Sequence, residues 1–110
     1  MHEEMTESKQ TVRIMNRLGL HARPAAEFVK LASQFDSTVF VEKDGLEVNG
    51  KSIMGVMMLA AEHGSSITIR AVGDDSRAAV LELVALVADG FGEEEALYAE
   101  GTATEDAEPR

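Results

Sequence analysis

Two short stretches of this 110-residue chain hold side chains whose types and spacing could do chemistry. The first is Leu18-Gly19-Leu20-His21-Ala22-Arg23-Pro24-Ala25. The apolar residues that follow Pro24 recur at helical spacing, so His21 falls at or just before a helix N-terminus. There the first backbone N–H groups lack acceptors within the helix, and the dipole favours negative charge. The same positive end favours an uncharged, nucleophilic ring. Arg23, two residues on, carries a planar fork of donors that can reach an anion held on that ring. A neutral imidazole, an anion-friendly helix end and one guanidinium are the parts a phosphoryl acceptor needs. The dipole contributes only about 0.3–1 kcal/mol, or ~2 if partly buried, so such a site would hold a labile phosphohistidine without trapping it. The plain alternative is a histidine that caps an ordinary strand-to-helix turn.

The second stretch is Asn49-Gly50-Lys51-Ser52, which runs into another helical pattern. Ser52 takes an N-cap position, worth about 1 kcal/mol as a plain cap. A phosphate added there would be stabilised by the helix end and would recharge a nearby docking surface without unfolding anything. On that helix Met54 and Met58 fall off the apolar stripe beside Gly55. They read either as an exposed, adaptable contact patch or as partial core packing. The other histidines, His2 and His63, form no metal-ligand set. Cys is absent, which excludes a disulfide framework, thiolate zinc and a thiol nucleophile. No phosphate-binding G-x-x-x-x-G-K-[ST] loop, H-E-x-x-H or G-x-S-x-G is present. Neither metal nor cofactor is expected.

The elements that must position these residues alternate between the two periods. Thr11–Asn16 puts Val12 and Ile14 on one strand face. Pro24–Ser33 places Ala25, Phe28, Val29 and Ala32 on one helical face, with Pro24 tolerated in the first turn. Ser37–Glu42 and Leu46–Asn49 flank Asp44-Gly45, a hairpin turn signal. Ser52–Ala61 is a second helix with Ile53, Val56, Met57 and Ala60 inward, and Gly64 follows as a stop. Ser66–Ala71 alternates as a strand. A third helix, Asp75–Asp89, turns Val80, Leu83, Val84 and Val87 inward and ends at Gly90; Phe91 tucks against the domain. The order β-α-β-β-α-β-α predicts a two-layer α+β fold with an antiparallel sheet, one face under helices and the other solvated at Thr38, Glu42, Thr68 and Arg70.

Charge is uneven. The chain has 20 acidic and 10 basic residues, net −10. Seven of the acids lie in 93–110, against one Arg, so the reading is a flexible extension at 1–10, a domain at 11–92 and a solvated acidic tail at 93–110. A near-neutral domain with acidic ends argues against nucleic acid and against anionic membranes. The longest apolar run, Ile53–Ala61, is far below the roughly 20 residues of a membrane span. The acidic N-terminus does not read as a secretory signal, so a cytoplasmic protein is expected.

At Gly19–Ala25, which spell G-L-H-A-R-P-A, the sequence resembles the HPr family of phosphocarriers of the bacterial phosphotransferase system. A second family signature stands at Lys51-Ser-Ile-Met-Gly-Val-Met-Met-Leu59, about 30 residues on and in the matching element order. The resemblance covers roughly residues 11–92. It implies an open-faced β-sandwich with three helices on one face of a four-stranded antiparallel sheet. It also implies that His21 Nδ1 takes a phosphoryl group from enzyme I, charged by phosphoenolpyruvate, and passes it to a histidine of an EIIA-type protein. On that basis Arg23 is the electrostatic partner, and the backbone N–H groups of Ala22 and Arg23 help hold the phosphate. Ser52 matches the position modified in many members by an HPr kinase/phosphorylase, and Ala26, Ile53, Met54 and Met57 match the partner-docking patch. A monomeric carrier, stoichiometric and not an enzyme, is implied. Gly50–Ala61 and Ala88–Glu94 also look like the nitrogen-related NPr-type members. A Crh-like regulator, which lacks the histidine, does not fit His21. Two rival classes are an acylphosphatase-like hydrolase, for which no phosphate-cradling loop is visible around Arg17 or Arg23, and a regulatory binding module signalling through Ser52 and the Met patch, with His21 incidental.

Overall fold

The computed structural model describes residues 6–93. Its elements are β1 (Glu7–Arg13), α1 (Ala22–Ala32), β2 (Thr38–Lys43), β3 (Leu46–Asn49), α2 (Ile53–Met58), β4 (Ser66–Val72) and α3 (Ser76–Ala88), followed by a 3-10 turn at Gly90–Gly92. The strands form one antiparallel sheet in the order β1-β4-β2-β3. Strand alternation sorts its two faces. Val39 and Val41 of β2 and Ile67, Ile69 and Ala71 of β4 are buried with Phe28 of α1, Val56 of α2 and Ala79, Leu83 and Val87 of α3. Each large apolar side chain buried this way contributes about 1.5–3 kcal/mol. On the opposite face the Thr11 and Thr68 hydroxyls meet at 2.8 Å. Arg70 stacks 4.2 Å above the Phe40 ring centre and forks onto Glu47 at 3.2 Å. The fold is the expected open-faced α+β sandwich.

The β2–β3 turn is as expected: Asp44 (φ 48°) and Gly45 (φ 88°) both take the left-handed region, and Lys43 pairs with Leu46. Two elements differ from expectation. β1 starts at Glu7, inside the stretch 1–10 set apart as an extension, and pairs Glu7 with Val72 through Arg13 with Ser66. Its first residues are polar because this is an edge strand held by its backbone ladder, so no apolar alternation announces it. Residues 1–5 and 94–110 lie outside the described residues, and with them all but the first residue of the acidic tail.

The second difference is α2, which has six residues and not the ten of Ser52–Ala61. Its last turn tightens through bonds from Leu59 N–H to the Val56 carbonyl and from Ala60 N–H to the Met57 carbonyl. Ala60 then turns left-handed at φ 48°. A helix of under two turns meets the core only through Val56 and its C-cap Leu59. Ile53, Met57 and Ala60, assigned to the buried stripe, are therefore exposed. Met54 and Met58 are exposed as the contact-patch reading expects.

Asp75 precedes α3 but does not cap it. Its carboxylate instead accepts from the Ser37 hydroxyl and from the N–H groups of Asp36 (2.8 Å) and Ser37 (2.9 Å), tying α3 to the α1–β2 loop. The Ser37 hydroxyl, and next the Asp36 N–H, hold this carboxyl below the usual carboxylate range. A depressed carboxyl stabilises the fold above its unfolded value and loses that contribution as pH falls through its folded value. Asp75→Asn is thus expected to melt at lower temperature than wild type at pH 7, with the gap closing at an acid pH below the usual carboxylate range, as the depressed carboxyl takes up its proton. Thermal melts at the two pH values check this; an equal gap at both would contradict it.

Candidate functional site

The loop that delivers the histidine is built on two residues. Asn16 is buried, and its side-chain amide donates to the Gly19 carbonyl at 2.7 Å. Gly19 sits at φ 70°, donates to the Asn16 carbonyl and accepts the His21 N–H at 2.9 Å. Leu20 N–H is pinned to the Ala61 carbonyl at 2.9 Å. A Cβ at Gly19 would stand 2.5 Å from that same carbonyl oxygen, so the chain passes there only without a side chain.

This loop leaves His21 as the N-cap of α1 with extended backbone, φ −80° and ψ −174°. Its side chain makes no bond to the helix end, so the histidine is not there to cap. The next two residues, Ala22 and Arg23, are the first of the helix, where N–H groups have no intrahelical acceptor. Pro24 follows with no N–H at all. Ala22 and Arg23 are exposed, and among the described residues Arg23 makes no hydrogen bond or ion pair. Two open N–H groups and a guanidinium not committed elsewhere thus directly follow His21 in the chain.

The ring itself is asymmetric. Its Nε2 is buried and has no hydrogen-bond partner. The nearest charge is the Glu93 carboxylate at 3.5 Å, an ion-pair separation longer than a good hydrogen bond. Glu93 is itself only 11% exposed at its side chain and accepts from the Asn16 amide at 3.3 Å. The sequence places Glu93 in a solvated tail. The structure instead folds it onto the histidine through Gly90 (φ 67°), Phe91 (φ 60°) and Gly92 (φ 65°), three successive left-handed residues. Phe91 packs against the core and anchors this turn. The Gly-Phe-Gly run is the one signal that could have located Glu93. Beside the ring opens a cleft of about 560 Å³, between Arg17, Leu18 and Leu20 on one side and Ala60, Ala61, Glu62 and His63 on the other.

Ser52 caps α2, its hydroxyl accepting the Gly55 N–H at 3.0 Å. α1 packs against α2, but Ser52 bonds to neither His21 nor Arg23. The expected docking residues Ala26, Ile53, Met54 and Met57 are all exposed, Met54 at 75%. Met58, Leu18 and Met15 are exposed large apolar side chains that the docking set did not include. Among the described residues no three His, Cys, Asp or Glu side chains gather as a metal site would require.

Comparison with known proteins agrees with this geometry. The family model for the "PTS HPr component phosphorylation site" matches residues 8–89. The phosphocarrier protein HPr of Neisseria meningitidis is 49% identical over 87 residues, covering 79% of this chain and 98% of that protein. The HPr-like protein Crh of Bacillus subtilis is also 49% identical, over 79 residues, covering 72% and 93%. Among solved structures, HPr from Thermoanaerobacter tengcongensis superposes with a TM-score of 0.76 at 49% identity, covering 79% of this chain and 98% of that one. An HPr dimer from the same organism gives 0.64 at 47% identity, covering 84% and 100%. With two signature segments in place at the starts of α1 and α2 over the same four-stranded sheet, the chain belongs to the HPr family of phosphocarriers of the phosphotransferase system.

Proposed function

We propose that this protein carries a phosphoryl group on His21 Nδ1, taking it from phosphoenolpyruvate-charged enzyme I and passing it to a histidine of an EIIA-type acceptor. The observation that supports the reading is the asymmetry of the ring: Nε2 is buried and lies 3.5 Å from Glu93, so the nitrogen left to take a phosphoryl group is Nδ1. The N–H groups of Ala22 and Arg23 and the Arg23 guanidinium then supply the charge neutralisation that in-line transfer between two imidazoles needs. The carrier is consumed and restored once per transfer, so it is a stoichiometric component. The histidine also favours a carrier over the Crh-type regulator, although the two kinds of relative match the chain equally in identity. It is proposed to act as a cytoplasmic monomer that presents the Ile53, Met54 and Met57 face to successive partners; among the described residues no helix is long and apolar enough to cross a membrane.

Ser52 is proposed as a regulatory phosphosite for an HPr kinase/phosphorylase. Its place at the start of α2, beside exposed Ile53 and Met54, supports this. A negative charge there needs no rearrangement of the helix, yet it falls on an apolar docking face. Ser52→Asp is expected to raise the KM of enzyme I for this protein several-fold with little change in kcat. Steady-state transfer at varied carrier concentration measures both, and an unaltered KM would sink the regulatory role.

A further inference from the structure

We propose that Glu93, held in place by Asn16, is a positioning residue for His21: it keeps the proton on Nε2, presents Nδ1 as the bare nitrogen, and balances the ring while the phosphoryl group is aboard. The proposal rests on the carrier reading of His21 and deepens it.

Three observations carry it. The buried nitrogen Nε2 faces one carboxylate, Glu93, at 3.5 Å, and slight closure makes that a charge-assisted hydrogen bond. Glu93 does not hang free, because the Asn16 amide holds the same carboxylate oxygen at 3.3 Å. Asn16 is in turn 1% exposed and fixed by its 2.7 Å bond to the Gly19 carbonyl, part of the loop that sets His21. The proton of a neutral imidazole sits on the nitrogen whose hydrogen bond requires it, so an acceptor at Nε2 leaves the lone pair on Nδ1. A carboxylate orienting an imidazole from behind is the same physical device that fixes the base in a hydrolase triad.

The transfer chemistry shows what the proton is for. The Nδ1 lone pair attacks phosphorus; the Nδ1–P bond forms as the donor's N–P bond breaks, its electron pair returning to the donor nitrogen. With its proton still on Nε2, the ring now carries a positive charge, which the Glu93 carboxylate balances. In the onward step the Nδ1–P bond breaks and its pair returns to Nδ1, so a neutral imidazole leaves. Were Nε2 bare, an imidazolate anion would have to leave, a far poorer leaving group. The other charged or titratable groups around the ring are Arg23 on α1, Arg17 before it, and Glu62 and His63 across the cleft. Among the described residues the ion pair at Nε2 is the one with Glu93.

The test uses the full-length chain labelled with 15N-histidine. In the unphosphorylated protein the ring shifts are expected to show Nε2 protonated and Nδ1 bare; a proton on Nδ1 would overturn the proposal, and this reading needs no phosphoryl donor. After loading by enzyme I and phosphoenolpyruvate, the pH midpoint for loss of the Nε2 proton is expected to move down by roughly half a pH unit in Glu93→Gln, and transfer to an EIIA-type acceptor above that midpoint to slow about two- to fivefold, the range of a partly exposed ion pair. Glu93→Asp, which keeps the charge, should fall between the two. Equal midpoints in wild type and Glu93→Gln refute the positioning role and leave the carrier reading intact. Failure of wild type to load at all refutes the carrier reading, and with it the charge-balancing part of the proposal.

Discussion

Arg23→Ala is expected to slow phosphoryl transfer both onto and off His21 by about 10- to 100-fold, somewhat less than the loss of a well-buried oxyanion donor. The guanidinium is exposed and has no partner among the described residues, so it is available to an incoming phosphoryl group and does nothing for the fold that would be missed. Surface substitutions of that kind change stability by about 0.5 kcal/mol or less. The variant should therefore melt like wild type and still bind enzyme I, with the loss concentrated in kcat. Rapid-quench transfer kinetics beside a thermal melt separate these outcomes. Arg23→Lys should recover only part of the rate, because an ammonium supplies charge without the two-point fork. A wild-type rate in Arg23→Ala would remove the arginine from the site.

Gly19→Ala is expected to be the most damaging small substitution in the loop. Two effects add. A non-glycine residue at φ 70° costs about 1–2 kcal/mol, and the new methyl would lie 2.5 Å from the Ala61 carbonyl oxygen. That oxygen cannot move away cheaply, since it accepts the Leu20 N–H. Overpacking of this kind costs about 1–3 kcal/mol more, for a fall in melting temperature of roughly 10–25 °C in a domain this size. Gly64→Ala is the control: its φ is 89°, yet nothing lies within 4 Å of the added Cβ, so only the conformational cost applies. A small shift for Gly64→Ala and a large one for Gly19→Ala isolate the close approach. Because the Gly19 carbonyl also bonds the His21 N–H, any surviving fold should accept phosphoryl groups poorly.

What was legible in the sequence divides along physical lines. Elements that bury a regular apolar face were legible: α1 through Ala25, Phe28 and Ala32, β4 through Ile67 and Ile69, and α3 through Val80, Leu83 and Val87. The Asp44-Gly45 turn was legible because its conformation demands particular residues. The end of α2 was not. Ile53, Met57 and Ala60 keep helical spacing, but a left-handed Ala60 stops the helix where no glycine marks it. The beginning of β1 was hidden because an edge strand needs backbone partners more than an apolar face. At the site, His21 and Arg23 stand two residues apart, so one motif could show both. Glu93 lies 72 positions from His21 and sits in an acidic run; only the chain reversal at Gly90–Gly92 distinguishes it from its neighbours.

The phosphoryl load on His21 is the direct point of attack. Intact-protein mass after incubation with phosphoenolpyruvate and enzyme I, for wild type beside His21→Ala, is the measurement to make. A gain of a single phosphoryl group, lost in acid, kept in base and absent from His21→Ala, is the expected result. The same gain in His21→Ala, or none in wild type with an enzyme I that charges another HPr in the same mixture, would contradict a carrier built on this histidine.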